Sequence, residues 1–141
     1  MINLSEKSKE YYQKNPSYHV EDSGFKWNNF KNAILKSEID LNQVRIIGEI
    51  GCGSGQILSL AKKSGLFKET EYVGYDTNLD AITLAKSLDG SIKYLNEDLI
   101  NKNLEKKFDI LIVSDVFEHV DNYYGFLKGL RKKAKYLIFN I

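Results

Sequence analysis

The run Val44 to Ile50 is rich in β-branched residues and breaks abruptly into Gly51-Cys52-Gly53-Ser54-Gly55. An apolar stretch of that kind reads as a buried strand, and the glycines read as a tight turn out of it. Glycine takes positive φ without penalty and has no Cβ to hold a ligand away from the backbone. Ser54 or Gly55 then opens a helix carrying Ile57, Leu58, Leu60 and Ala61, which closes near Gly65. Strand, glycine turn and helix in that order point to an α/β unit with a ligand at the turn. The spacing narrows the ligand. A dinucleotide fold needs G-x-G-x-x-G so that the helix N-terminus can receive a pyrophosphate. Here the pattern is one residue shorter and Glu49 stands in front of it. A carboxylate there repels a pyrophosphate and suits a cation such as an ammonium group. No Gly-Lys-Ser/Thr follows, so the turn is not a Walker loop.

The same rhythm recurs downstream. Tyr72–Tyr75 forms a second strand, and 78–88 a helix with Leu79, Ile82 and Leu88 facing inward. Ile92–Leu95 is a short third strand, followed by a loop or helical turn over 98–103. Phe108–Val113, almost wholly apolar, is a fourth strand. Asp121 is placed to cap a helix with Phe126, Leu127 and Leu130 on its apolar face, and its basic end suits the helix dipole. Tyr136–Phe139 is a fifth strand. Ahead of all this, Trp27, Phe30, Ala33 and Ile34 fall at helical spacing. Strands that alternate with helices and are apolar on both faces imply a parallel sheet covered on both sides. The expected fold is therefore a three-layer, doubly wound α/β domain with a mostly parallel sheet. Its boundaries are an N-terminal helical lid over 1–43 and a cofactor-binding core over 44–141.

Composition closes off other classes. A chain of 141 residues holds one core, and with 12% aromatic residues it has ample surface to bury. Twenty Lys and Arg against 19 Asp and Glu leave a net charge of +1, which draws the chain to neither nucleic acid nor an anionic membrane. The single cysteine, Cys52, excludes an internal disulfide and any multi-cysteine metal site, and His19 and His119 lie too far apart in sequence to form a local ligand pattern. The polar start carries no secretory signal and no stretch is long enough to span a membrane, so the default setting is cytoplasmic.

Three further sites follow the strands. Val73-Gly74-Tyr75-Asp76 ends the second, and a carboxylate there accepts hydrogen bonds from ribose hydroxyls; Thr77 belongs beside it. Asp76 as a plain helix cap is the bland alternative, although Thr77 and Asn78 can fill that role. Asn96-Glu97-Asp98-Leu99 follows the third strand, where Asp98 reads equally well as a surface cap. The fourth strand continues into Ser114-Asp115-Val116-Phe117-Glu118-His119.

Glu49 and its glycines, Asp76, Asp98 and the Asp109…Asp115…Glu118-His119 segment together resemble the class I S-adenosylmethionine-dependent methyltransferases. Their first motif is acidic-x-Gly-x-Gly-x-Gly, and their post-strand-four motif is D-x-x-x-x-x-D-x-[LF]-E-H. The resemblance implies S-adenosylmethionine as cofactor, S-adenosylhomocysteine as product, and Glu49, Gly51, Cys52, Gly53, Gly55, Asp76, Thr77, Asp98, Leu99 and Ser114 as the cofactor set. Asp98 and Leu99 would meet the adenine. Methyl transfer from a sulfonium needs chiefly alignment and exclusion of water, and a base only where the nucleophile must lose a proton. His119 is the leading candidate base, with Asp115 and His19 behind it; the competing view has Glu118 and His119 merely orienting the loop. His19, Glu21 or Trp27 would face cofactor or substrate from the N-terminal segment, unless those aromatics are simply a latch onto the sheet. Ser114-Asp115-Val116-Phe117 lacks the Pro-Pro of the amino-methylating enzymes of this fold.

The expected acceptor is a small molecule or saccharide-like metabolite rather than nucleic acid, because the only basic cluster is 131–135. The family's sheet has seven strands and this sequence stops in the fifth. The expectation is a fragment of a longer protein, its sheet truncated after about five strands; the alternative is an exposed edge covered by a partner or a second copy, as in a homodimer. The alternatives are a non-catalytic binding module docking through that edge, a nicotinamide-dependent oxidoreductase, which fails on glycine spacing, and an RNA methyltransferase.

Overall fold

The computed structural model describes Glu10, Gln13, Lys14 and residues 20–140. Among them run five strands: β1 (Ile46–Ile50), β2 (Glu71–Tyr75), β3 (Lys93–Leu95), β4 (Phe108–Ser114) and β5 (Ala134–Asn140). The helices are α1 (Ser23–Lys36), α2 (Gln56–Lys63), α3 (Leu79–Leu88) and α4 (Tyr123–Arg131). All four strand pairings are parallel and the order is β3-β2-β1-β4-β5. The order reverses between β1 and β4, and doubly wound sheets bind ligands beyond the strand ends at such a point.

Side-chain alternation divides the core between two faces. Ile47 on β1, Tyr72 on β2 and Ile110 and Ile112 on β4 pack with Trp27, Phe30 and Ile34 of α1, and with α2 and α3. Ile50, Val73, Leu111 and Val113 pack on the opposite face with Phe126 and Leu130 of α4. The result is three layers. Helix α1, which falls within the 1–43 segment, shares its core with the sheet. At the far end of the sheet the Asp109 carboxylate accepts from the backbone N–H groups of Arg45 and Ile46 at 2.7 and 3.0 Å and from Lys135 at 2.7 Å, tying β1, β4 and β5 together. No helix of the described residues is long and apolar enough to cross a membrane.

Several details depart from the sequence reading. Leu79 and Leu88 are 62% and 49% exposed, and α3 instead buries Ala81, Ile82 and Ala85. Leu127 on α4 lies at the edge of the buried face rather than on it, and Ala33 of α1 is exposed. Helix α4 is capped by Asn122, whose Oδ1 accepts from Gly125 N–H at 2.9 Å, and not by Asp121. Strand β5 begins at Ala134, and α1 begins at Ser23, one turn ahead of Trp27.

Candidate functional site

The turn after β1 is built by close approach. Gly51 has φ 68°, and a Cβ on it would meet Val116 Cγ2 at 2.4 Å. Gly55, the N-cap of α2, has φ 76°, and a Cβ there would lie 2.3 Å from the Tyr94 hydroxyl. That hydroxyl donates to Gly55 O at 2.9 Å. Cys52 N–H donates to Tyr75 O at 3.0 Å, and Gly53 N–H to Asp76 Oδ2 at 3.0 Å, so the turn is fastened to the end of β2.

Around the turn the strand ends bring carboxylates together. Glu49 is 1% exposed and its Oε2 has no hydrogen-bond partner. Burial pushes its carboxyl well above the ordinary range; the nearby Asp76 and Asp115 push the same way, and Lys26 opposes them. Asp76 is 3% exposed, and besides Gly53 it accepts from Asn78 N–H at 2.8 Å. The helix cap of α3 is Asn78, through Ala81 N–H at 3.0 Å, and that finding removes the plain-cap account of Asp76. Asp115 follows β4 with φ 52°, in the left-handed region where a residue other than glycine is held only by its surroundings. Those surroundings are Lys26 of α1, ion-paired to Oδ2, and Asn140 of β5, donating to Oδ1 at 3.1 Å.

The remaining expected residues spread further. Cys52 is buried against Gly74, and burial, then Asp76 and Glu49, push its thiol well above its ordinary value. A thiolate is therefore disfavoured there. Ser114 is buried at the end of β4, and Thr77 is half-buried on the rim between Asp76 and α3. Asp98 caps the single turn Leu99–Asn101 through Ile100 N–H at 3.0 Å, and its other oxygen accepts from Asn101 at 2.6 Å. Leu99 is 1% exposed and belongs to the core, and its carbonyl accepts from Lys102 N–H at 3.2 Å. His119 sits half-buried in the turn Phe117–His119, four residues beyond Asp115. His19 lies outside the described residues. Glu21 is exposed, and Trp27 is a core residue at 5% exposure, so for Trp27 the latch account holds.

Lys26 was not among the expected residues. Its signal is positional: on α1 the buried residues are Ser23, Trp27, Phe30 and Ile34, and Lys26 falls on the same stripe. A lone lysine on an apolar stripe asks for a partner, which is Asp115.

The comparisons with known proteins agree with this geometry. A methyltransferase domain family model matches residues 49–135. Among curated relatives, a putative methyltransferase of Invertebrate iridescent virus 6 is 30% identical over 98 residues, covering 70% of this chain and 36% of its own length. A ubiquinone biosynthesis O-methyltransferase of Rickettsia bellii is 31% identical over 98 residues, covering 68% and 40% respectively. The chain thus spans about two-fifths of the length of the relatives it matches. Among solved structures, the plantazolicin methyltransferase BpumL, crystallised with S-adenosylhomocysteine, superposes with TM-score 0.69 at 19% identity, over 96% of this chain and 52% of that one. An S-adenosylmethionine-dependent methyltransferase from Clostridium acetobutylicum gives 0.68 at 19% identity, over 97% and 57%. These two establish the fold, and with the family match running from the acidic residue before the glycine turn into β5, the chain belongs to the methyltransferase domain family.

Proposed function

We propose that the chain is the S-adenosylmethionine-binding part of a methyltransferase acting on a small-molecule acceptor. The observation that carries this reading is Glu49, fully buried in front of the glycine turn with Oε2 unpartnered. Burying a carboxylate without a partner is costly, and an ammonium group is the partner that removes the cost. The donor set fits the rest of the cofactor. Asp76 follows β2, where it is placed for the ribose hydroxyls, Asp98 and Leu99 follow β3, where they are placed for the adenine, and the tight turn through Gly51, Gly53 and Gly55 lies beside them.

When bound, the cofactor supplies a methyl group already activated on a sulfonium. The chain's own residues bind and orient. Glu49 and Asp115 attract the cationic tail, Asp76 fixes the ribose, and α1 covers the site from one side in the manner of a lid. Alignment and exclusion of water are what this reaction requires of the protein. His119 is the proposed holder of an acceptor proton, with Asp115 as the second candidate and His19 as the third. The small-molecule acceptor is supported by the balanced charge of the chain and by the rickettsial relatives, named for O-methylation in ubiquinone biosynthesis. A saccharide-like acceptor remains within the same proposal. The outer side of β5 pairs with no strand among the described residues, and a second copy or a further strand would pair there. A cytoplasmic setting rests on the single, buried thiol.

The test is titration calorimetry with S-adenosylmethionine and S-adenosylhomocysteine, on the wild type and on Glu49→Gln. Micromolar binding, about 8 kcal/mol, that weakens at least tenfold in a folded Glu49→Gln variant supports the reading. A folded wild type that binds neither ligand overturns it.

A further inference from the structure

Lys133 is the one lysine or arginine among the described residues that is buried, at 8% exposure. Its backbone is fixed at the junction of α4 and β5: its N–H donates to Leu130 O at 2.8 Å, and its carbonyl accepts from Phe108 N–H at 2.9 Å. From there the ammonium group donates to Lys102 O, 31 residues back in the chain. Lys102 closes the turn Leu99–Asn101, and Asp98 opens it. Desolvation pulls the Lys133 ammonium below its ordinary value; Asp98 is the acid that opposes this, and Lys132 adds to it.

Packing and capping already hold this turn. Leu99 shares a core with Phe126 and Leu130, and Ile100 lies so near α4 that a Cβ on Gly129 would sit 3.4 Å from its Cγ2. Asp98 caps the turn through Ile100 N–H and accepts from Asn101. The Glu97–Lys102 ion pair, with side chains 40% and 39% exposed, adds little. A methionine at 133 would fill the same space without taking an ammonium group out of water, an exchange that is often neutral or stabilising. The charge therefore stands where it costs stability, and departures of that kind are expected at working sites. What the charge supplies and a methyl group cannot is a fixed Lys102 carbonyl and a positive field behind Asp98. Both act on the turn after β3.

We propose that Lys133 is a positioning residue for a nucleobase, holding the turn after β3 from behind so that its acidic head favours a base with an exocyclic amino group over one with a carbonyl in that place. The inference rests on the cofactor reading above, in which Asp98 and Leu99 meet the adenine, and adds a residue that acts through the turn. Packing and positioning differ in one respect. Loss of a packing residue lowers stability and binding together, whereas loss of this charge lowers base selectivity while stability holds or rises.

S-adenosylhomocysteine and S-inosylhomocysteine share ribose and tail and differ only in carrying an amino group or a carbonyl on the base. Calorimetry on the wild type should show a preference for the first. In Lys133→Met the melting temperature without ligand should be unchanged or higher, while the preference falls about tenfold, the equivalent of one hydrogen bond from a charged group. Lys133→Arg, which keeps a cation and a donor for Lys102 O, should retain most of the preference. In an Asp98→Asn background, Lys133→Met should leave selectivity where it is. Lys133→Gln, which keeps a donor without the charge, should lose part of the preference and gives a second route if Lys133→Met fails to fold. Equal weakening of both ligands, an unchanged preference in folded Lys133→Met, or failure of both neutral variants to fold overturns the positioning role and leaves cofactor binding standing. A wild type that binds the two ligands alike overturns it as well, and a folded wild type that binds neither overturns both readings.

Discussion

Gly51 tests whether the turn after β1 is shaped by contact with the loop after β4. Replacing it by alanine introduces two separable costs. The first is backbone: φ 68° lies in the left-handed region, where a Cβ costs roughly 1–2 kcal/mol. The second is steric. The new Cβ would sit 2.4 Å from Val116 Cγ2, and relief requires Val116 or its loop to move, about 1–3 kcal/mol for an overpacked site. Gly51→Ala should therefore cost roughly 2–5 kcal/mol in urea unfolding, a large part of a small domain's stability. The steric part has one source. Beyond Cγ2, the nearest atoms are Ser114 O at 3.7 Å and Val116 Cβ at 3.9 Å, both ordinary contacts. In a Val116→Ala background the same substitution should cost only the backbone share, about 1–2 kcal/mol, giving a coupling of about 1–3 kcal/mol in the double-mutant cycle. Equal costs in both backgrounds, within about 0.5 kcal/mol, would refute the steric argument and leave backbone conformation as the whole reason for the glycine.

Other expectations follow from the charged and capping residues. The raised Glu49 carboxyl means the folded state holds its proton to higher pH than the unfolded chain, so its ionisation costs stability as pH rises above 4.5. Glu49→Gln should accordingly match wild type near pH 4.5 in thermal melts and exceed it increasingly toward neutrality; a constant difference across that range would show the carboxyl is not desolvated. For Asp109, burial raises the carboxyl, but the Lys135 hydrogen bond and those from Arg45 and Ile46 outweigh it and hold it below 3.8. Its contribution is therefore present above that pH and lost below it, and Asp109→Ala should cost roughly 2–4 kcal/mol at pH 7 by leaving two backbone donors without their acceptor. Asn122→Ala should cost about 1 kcal/mol through loss of the α4 cap, while Asp121→Ala should stay within about 0.5 kcal/mol; the reverse order in chemical denaturation would contradict the assigned cap.

What could be read from the sequence was set by backbone chemistry. β1, β2 and β4 announce themselves because a strand buried on both faces is apolar over most of its length, and Gly51 and Gly55 because few other residues tolerate their φ. Helix α3 was misjudged because leucines weigh most in a periodicity count, whereas the helix turns the small Ala81 and Ala85 to the core and leaves Leu79 and Leu88 in water. Asp98 illustrates another limit: an acid after a short strand reads the same whether it caps a turn or meets a ligand, and here its oxygens are committed to Ile100 and Asn101. Lys26 was hidden for a third reason. Its meaning depends on Asp115, 89 residues away, and no local pattern carries a pairing of that separation.

The Tyr94 ring presses on two glycines at once. A Cβ on Gly74 would meet it at 2.6 Å, and one on Gly55 at 2.4 Å. Descent with modification at these three positions must therefore follow an order. Either glycine can acquire a side chain only in a lineage where the tyrosine has already been replaced by something smaller, and a return to tyrosine is then barred until both glycines are restored. One ring on β3 thus acts as a ratchet on a residue within β2 and on the residue that opens α2, so the cradle should change in a fixed order rather than by independent drift.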